Sequence, residues 1–156
     1  MTSSAISRPA SPDPAAPRPA SPDPSARARR GVEDGDLPPG LRVVVLADDL
    51  IWSTRLVETL TALGAAPLPI RSLDRLAGAN ASHAVVDLTA RAYDGVAAVR
   101  AATGLGLLVL AVGQHDDAAM RKAALGAGAE RVLAYRKLFE DGPGTLGRWL
   151  AATTAP

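Results

Sequence analysis

Short runs of apolar residues alternate along this chain with segments in which apolar residues have helical spacing. The first run, Arg42 to Ala47, is apolar almost throughout rather than at alternate positions, and an apolar helical stripe follows from Trp52 to Leu63 until Gly64. Strands that are apolar throughout are buried on both faces, which is typical of a parallel sheet covered by helices. The pattern predicts an α/β fold with a doubly wound, five-stranded parallel sheet in the order 2-1-3-4-5.

The same reading places the remaining elements. The other predicted strands cover residues 67–70, 83–86, 107–112 and 132–135. The other predicted helices cover residues 72–77, 96–102, 120–125 and 145–151, and the first of these is weak. Either Asp116 or Asp117 is expected to cap the helix that contains Met120.

The first 40 residues differ in composition from the rest. They contain nine of the 13 prolines, together with Ser, Ala, Asp and Arg, so we expect a disordered tail over residues 1–40 and one domain over residues 41–156. The segment Arg8-Pro-Ala-Ser-Pro-Asp-Pro14 recurs as residues 18–24. Polyproline II conformation is expected there. The tail is interpreted either as a docking or Ser-Pro phosphorylation segment or as a simple linker.

Charge and cysteine content exclude several classes of function. The formal net charge is +1, with no basic half in the predicted domain, so nucleic acid is not the expected partner. The chain has no cysteine, which removes disulfides, thiolate chemistry and sulfur metal sites. No stretch has the length and apolarity of a signal peptide or a membrane span, and we expect a cytoplasmic protein with no membrane partner.

Acidic residues follow two of the predicted strands. Asp48 and Asp49 come after the first strand, and Asp87 ends the strand that begins at His83. Because the carboxyl ends of parallel strands meet at one edge of the sheet, three carboxylates are expected to lie together there, with Gly113. Tyr135 is expected at the same edge, as the end of the fifth strand.

Several motifs resemble the receiver domain of two-component response regulators. Asp87 is followed seven residues later by Asp94-Gly95, the spacing that receivers show between the phosphoacceptor aspartate and an Asp-Gly turn. Ala127-Gly-Ala-Glu130 is similar to the Ala-Gly-Ala-Asp segment that precedes the fifth strand of the family. Residues 133–139 are similar to the stretch that ends in Lys-Pro-Phe. The resemblance covers residues 41–150 and implies a CheY-like domain of flavodoxin-like fold.

The resemblance also implies a phosphorylation site. Asp87 becomes the candidate phosphoacceptor, and Asp48, Asp49 and Asp87 become candidate Mg²⁺ ligands, because receivers hold the cation with an acid pair after the first strand. Counted back from Gly64, the first helix is one residue short. Either this helix carries a deletion, or Ala47 and Asp48 occupy the two acid positions.

Two further positions depart from the receiver pattern. Receivers have Ser or Thr at the end of the fourth strand, where the count from Gly128 gives Gly113. They have a lysine at the end of the fifth strand, where the same count gives Tyr135, with Arg136 and Lys137 one and two positions later. The resemblance is therefore to a divergent receiver or pseudo-receiver, with these positions as candidates for switching or contact.

His115 is a further candidate, because its loop is expected beside the same sheet edge. It is interpreted either as a contact for a phosphoryl group, metal or partner, or as an ordinary loop residue. The acids have structural alternatives too. Asp87 is either a phosphoacceptor or its relic, or an acid that caps a turn, and Asp48 and Asp49 are either cation ligands or helix caps.

Three functions follow. The favoured one is a stand-alone bacterial signalling module, not an enzyme, that acts through protein contact with its phosphorylation switch degenerate. The second is a working receiver, phosphorylated at Asp87 by a histidine kinase in a phosphorelay and read by a downstream effector. The third is a small flavodoxin-like cofactor binder, against which stand the two acids after the first strand, since they would repel a phosphate. Mg²⁺ is the one cofactor considered.

Overall fold

The structure is a computed structural model that describes residues 37–114 and 116–154. The predicted tail lies outside these residues for all but its last four positions. Five strands form the sheet: β1 (Arg42–Leu46), β2 (Ala66–Ile70), β3 (His83–Asp87), β4 (Leu108–Gly113) and β5 (Arg131–Ala134). All neighbouring strands are parallel, and their order is β2-β1-β3-β4-β5. The predicted fold class and strand order are confirmed.

Four helices accompany the sheet: α1 (Leu50–Ala62), α2 (Gly95–Gly104), α3 (Ala118–Gly126) and α4 (Tyr135–Thr154). Each of the first three begins at an aspartate whose side chain accepts a hydrogen bond from the backbone three residues later: Asp49, Asp94 and Asp117. Of the two candidate caps for α3, Asp117 is the one that caps it. Across the described ranges, no helix is long and apolar enough to cross a membrane.

The weak helix expected at residues 72–77 is only a short 3-10 helix, Leu73–Arg75. Too few helix-forming residues stand between Ser72 and Gly78 to offset the unfavourable nucleation of an α-helix. Asn80 then takes a positive φ of 46°, which turns the chain toward β3. The connection from β2 to β3 is therefore largely irregular.

The expected end of the fifth strand was also wrong. Tyr135 is the first residue of α4 rather than the last of β5, so the helix begins directly after the strand. Asp141 has non-helical backbone angles and divides α4 into two parts, the second of which contains the expected helix at residues 145–151. Its carboxylate accepts from the Gly144 N–H at 3.1 Å and so caps the second part.

The core has two layers, one on each face of the sheet. On one face, α1 and α4 pack on β1, β3 and β4 through buried residues that include Leu60, Leu146 and Trp149. On the other face, α2 and α3 pack on the sheet through small residues such as Ala98 of α2 and Ala124 of α3. Because both faces are covered, polar side chains on the central strands have space only at the strand ends.

β2 forms one edge of the sheet and contains two prolines. Pro67 and Pro69 lie opposite Val43 and Val45 of β1. Ala66 donates its N–H to the Leu41 carbonyl of the neighbouring chain segment at 2.8 Å. Since successive N–H groups of a strand point to opposite sides, the proline nitrogens face away from β1 and the pairing loses no donor.

Gly95 brings α2 into close contact with the end of β3. A Cβ added at this residue would lie 2.6 Å from Leu88 Cα and 2.8 Å from the Leu88 carbonyl oxygen. Both are backbone atoms, which cannot move aside as the end of a flexible side chain can. The Asp-Gly turn therefore requires glycine because of this close packing.

His83 is buried at the beginning of β3. Its Nδ1 lies 2.8 Å from Ser82 Oγ and its Nε2 lies 2.9 Å from Thr153 Oγ1 of α4. The ring packs edge-on against Trp149, with 5.3 Å between centroids. Burial lowers the pKa of His83 below its usual value, because it disfavours the charged imidazolium.

Two glycines of the same helix should respond differently to substitution by alanine. We expect Gly95→Ala to lower the free energy of unfolding by about 1–3 kcal/mol or more, since overpacking against backbone forces the helix to shift. Gly104→Ala is the matched control, because nothing lies within 4 Å of a Cβ there. It should leave stability unchanged or raise it by about 0.4–1 kcal/mol. Urea unfolding measures both, and equal stability of the two variants would contradict the packing of α2 on Leu88.

Acid should destabilise the fold through His83. Folding favours its neutral form, so this contribution to stability is complete above the unfolded-state pKa of about 6.5 and is lost as the pH falls below that value. Thermal unfolding between about pH 7.5 and 5 checks the sign. His83→Gln should flatten the dependence in this range, whereas His115→Gln, which changes the only other histidine, should not. The reverse result would assign the titration to His115.

Candidate functional site

The carboxyl ends of β1, β3, β4 and β5 surround an open cavity of about 530 Å³. Asp48, Asp49, Asp87 and Tyr135 all line it, so four of the predicted site residues lie together. The other lining residues are Trp52, Thr89, Arg91 and Gln114. We call this cavity the aromatic-acid cleft.

Asp87 is the most buried acid of the cleft, with 3% of its surface exposed. Every residue of β3 is buried, including Asp87, which is the last residue of the strand. Asp87 Oδ1 accepts from the Thr89 N–H at 2.7 Å and from the Thr89 hydroxyl at 2.8 Å. The carboxylate thus stabilises the tight turn that follows β3, which is the arrangement expected for a capping acid.

Asp48 holds the loop between β3 and α2. Its Oδ2 accepts from the N–H groups of Arg91 and Ala92 at 2.7 and 3.0 Å. These two bonds, that from Arg91 first, lower the pKa of Asp48 because they stabilise its charged form, and they outweigh the opposing effect of burial. Asp48 is therefore a structural link between the end of β1 and the loop after β3.

Asp49 has a different partner. Its Oδ1 accepts from the Trp52 N–H at 3.0 Å, which makes it the N-cap of α1. The side chain stays exposed. Asp48 and Asp49 therefore stabilise two different parts of the chain, the loop after β3 and the start of α1. Each accepts hydrogen bonds from backbone N–H groups.

Tyr135 closes the cleft from the side of β5. Its ring lies against Trp52, with 4.2 Å between centroids and a tilt of 35°. Its hydroxyl lies 3.4 Å from Thr89 Oγ1. Burial, followed by the interaction of the hydroxyl with the Asp87 carboxylate, raises the pKa of Tyr135, so the phenol stays protonated at neutral pH.

Tyr93 lies in the loop after β3 and stabilises the same region. It donates its hydroxyl to the Leu46 carbonyl at 2.7 Å, which joins the loop after β3 to the end of β1. Burial and then the negative charge of Asp87 raise the pKa of Tyr93. The loop is therefore attached to β1 twice, through Tyr93 and through Asp48.

The remaining predicted residues are placed unevenly. Gly113 is buried at the end of β4 and lines a neighbouring cavity of about 280 Å³ with Tyr135 and Arg136. Arg136 forms an exposed ion pair with Glu140 at 2.8 Å, and Lys137 is exposed on α4. His115 lies outside the described residues.

Mg²⁺ is the cation that the receiver resemblance implies for these acids. Within residues 37–114 and 116–154, no group of three or more His, Asp or Glu side chains is arranged to hold a metal ion. Asp48, Asp49 and Asp87 each use a carboxylate oxygen for a protein N–H. In this arrangement the three acids form no ready set of metal ligands, and the metal site stays a prediction.

Sequence reasoning missed Thr89 as part of the site. It interpreted Trp52 as a packing residue on the apolar stripe of α1, with an exposed contact patch beside the two acids as the alternative. For Thr89 there was a signal, since an acid followed two residues later by threonine is typical of a side-chain-capped turn. For Trp52 the signal was its position three residues after Asp49, beside the predicted acids. The position of Trp52 beside Tyr135 depends on where α4 begins. The sequence placed Tyr135 at the end of β5, so this contact was not foreseen.

Comparisons with known proteins agree with this geometry at the level of the fold. No family model matches the chain, and no curated protein matches it. Among solved structures, the chain is similar to the signal receiver domain of the response regulator NarL from Mycobacterium tuberculosis, with a TM-score of 0.62 and 21% identity over 72% of this chain and 98% of that one.

Two other receiver domains are similarly related. The receiver domain of the Francisella response regulator 1452 gives a TM-score of 0.62 and 15% identity, over 74% of this chain and all of that one (100%). The BeF3-activated receiver domain of DrrB gives 0.61 and 18%, over 71% of this chain and 97% of that one. Identities this low establish the fold alone: the described part of the chain has the fold of a response-regulator receiver domain of the CheY type.

Proposed function

We propose that this protein is a receiver-like signalling module that acts through protein contact and whose phosphorylation switch is degenerate. It would work in the bacterial cytoplasm, without catalysis, and its partner would be a histidine kinase or a downstream effector. The observation that carries the proposal is the environment of Asp87. The carboxylate that a receiver would phosphorylate is engaged by Thr89 and lies beneath Tyr135.

Charge at the site supports the proposal. In the receivers that this chain resembles, a lysine at the end of the fifth strand pairs with the phosphoaspartate. Here Tyr135 occupies that region, and its neutral phenol can donate one hydrogen bond but offers no positive charge. A phosphoryl group on Asp87 would bring further negative charge beside Asp48 and Asp49.

The end of β4 supports it as well. Gly113 has no side chain, so it lacks the hydroxyl that a receiver uses to bind a phosphoryl oxygen. There is space for one: the three atoms nearest to a Cβ added at Gly113 all belong to the Leu88 side chain and lie 3.4 to 3.9 Å away. The missing group can therefore be restored experimentally.

The second candidate is a working receiver that is phosphorylated at Asp87. The position of Asp48, Asp49 and Asp87 around one cleft favours it. It requires Asp48 to release the Arg91 and Ala92 amides, or a cation to bind through the remaining oxygens. Mg²⁺ would then bind to these three acids.

Wild-type protein should take up little phosphoryl group from acetyl phosphate with Mg²⁺. The physical reason is that Tyr135 and Gly113 stand where receivers have the lysine and the hydroxyl that bind the phosphoryl oxygens. Phos-tag gel analysis measures the uptake, with a conventional receiver as the positive control and Asp87→Asn as the negative one. Rapid Mg²⁺-dependent labelling that Asp87→Asn abolishes would establish the second candidate instead.

Repair is the sharper test. We expect Gly113→Thr with Tyr135→Lys to gain a beryllofluoride adduct on Asp87, because the two changes return the hydroxyl and the ammonium together. Each single variant should gain less, since the partners act on the same oxygens. Fluorine NMR of the adduct measures the result.

The matched control for the repair is Gly113→Val with Tyr135→Met. It has nearly the shapes of threonine and lysine but neither the hydroxyl nor the charge, and it should gain no adduct. If the repaired protein is folded and still binds no beryllofluoride, Asp87 is not a receiver phosphoacceptor position and is only a turn-capping acid. If the control gains the adduct equally, removal of Tyr135 rather than the new groups is responsible.

A further inference from the structure

The aromatic-acid cleft has a feature that the proposed function does not use, which is its pair of partly exposed aromatic rings. Trp52 and Tyr135 are in contact, and neither is fully buried. The pair lines both the cleft and the neighbouring cavity of about 280 Å³. Both cavities adjoin this pair of rings, which we call the aromatic ridge.

Such a ridge has the form of a binding surface for polyproline II segments. These segments are extended, have three residues per turn, and place proline rings against aromatic side chains and into the grooves between them. Little conformational entropy is lost, because proline already restricts the backbone. The two rings of the ridge supply the aromatic surface that this kind of recognition needs.

Charge adds a second requirement on the ligand. The cleft is lined by three aspartates and by one arginine, Arg91. The hydrogen bonds to Asp48 stabilise its charged form, so it stays ionised well below neutral pH. A segment that suits this surface carries a cation beside its prolines, and arginine satisfies this because it also stacks on aromatic faces.

The chain contains such a segment twice. Arg8-Pro-Ala-Ser-Pro12 and Arg18-Pro-Ala-Ser-Pro22 each place an arginine directly before a Pro-x-x-Pro motif. The receiver resemblance does not extend to them. Both lie outside the described residues, on the amino-terminal side of Leu37.

We propose that one Arg-Pro-x-x-Pro segment of the chain's own amino-terminal region binds to the aromatic-acid cleft. The arginine pairs with the acids, and the prolines lie on Trp52 and Tyr135. Two copies give two equivalent ways to fill one cleft. In the bound state the segment covers Asp87 and competes with any partner that approaches this end of the sheet.

The connecting chain is long enough. About a dozen residues separate Pro24 from Leu37, and extended chain spans about 3.3 Å per residue, so they reach about 40 Å. The central strands are five or six residues long, so the amino ends and the carboxyl ends of the sheet are about 20 Å apart. The second copy can therefore reach the cleft around the outside of the domain. Tethering gives an effective concentration in the millimolar range, so even weak recognition suffices.

The full chain offers a direct test, since it has no cysteine and two tryptophans. A spin label on Ala16→Cys lies between the two copies of the segment. We expect it to weaken the indole N–H signal of Trp52 in a nitrogen-proton correlation spectrum at least threefold more than that of Trp149. Trp149 is the internal control, because it is buried beside His83 at the other end of β3. Trp52→Phe identifies the two signals.

Matched changes in the amino-terminal region test the recognition itself. Arg8→Ala with Arg18→Ala should restore the Trp52 signal, whereas Arg27→Ala with Arg29→Ala, which removes the same charge outside the repeats, should not. Equal effects on both tryptophans, or none, would overturn the proposal. So would equal restoration by both pairs, because attraction would then depend on net charge alone. An effect on Trp52 that disappears on dilution would mean that the segment binds a second copy, which also excludes binding within one chain.

Discussion

A buried carboxylate must be satisfied by hydrogen-bond donors, and the site of this protein is arranged around that requirement at Asp87. Removing a charged group from water is very unfavourable unless partners replace the lost hydration. The receiver fold places this residue at the end of a wholly buried strand, with only 3% of its surface exposed. Thr89 donates twice to it, and the turn after β3 takes the conformation that permits both bonds.

The acids next to Asp87 follow the same principle. Asp48 fixes the loop after β3 and Asp49 caps α1, so both carboxylates accept hydrogen bonds from backbone N–H groups and stabilise local structure. The negative charges nevertheless remain together at one cleft. Each acid can therefore have a structural role while the cleft as a whole attracts cations. The proposed binding of a cationic segment requires this property.

Much of the fold was predictable because apolar runs and helical spacing report burial directly. Strand order followed from the parallel sheet, and the meeting of Asp48, Asp49 and Asp87 followed from the strand ends. The start of α4 at Tyr135 was not predictable, since no cap or glycine separates it from β5. The contact between Trp52 and Tyr135 depends on that start and was missed with it. Hydrogen-bond partners such as Arg91 depend on a loop whose shape is set by the whole domain.

The prolines of β2 limit how other molecules can use this domain. An exposed strand edge ordinarily invites another chain to extend the sheet. Here the outward positions of the edge are Pro67 and Pro69, which have no N–H to donate, so an added strand would find only acceptors. Association through sheet extension is thus blocked on this side, and recognition there has to depend on side chains. At high protein concentration, β2 therefore does not act as a template for aggregation through strand pairing.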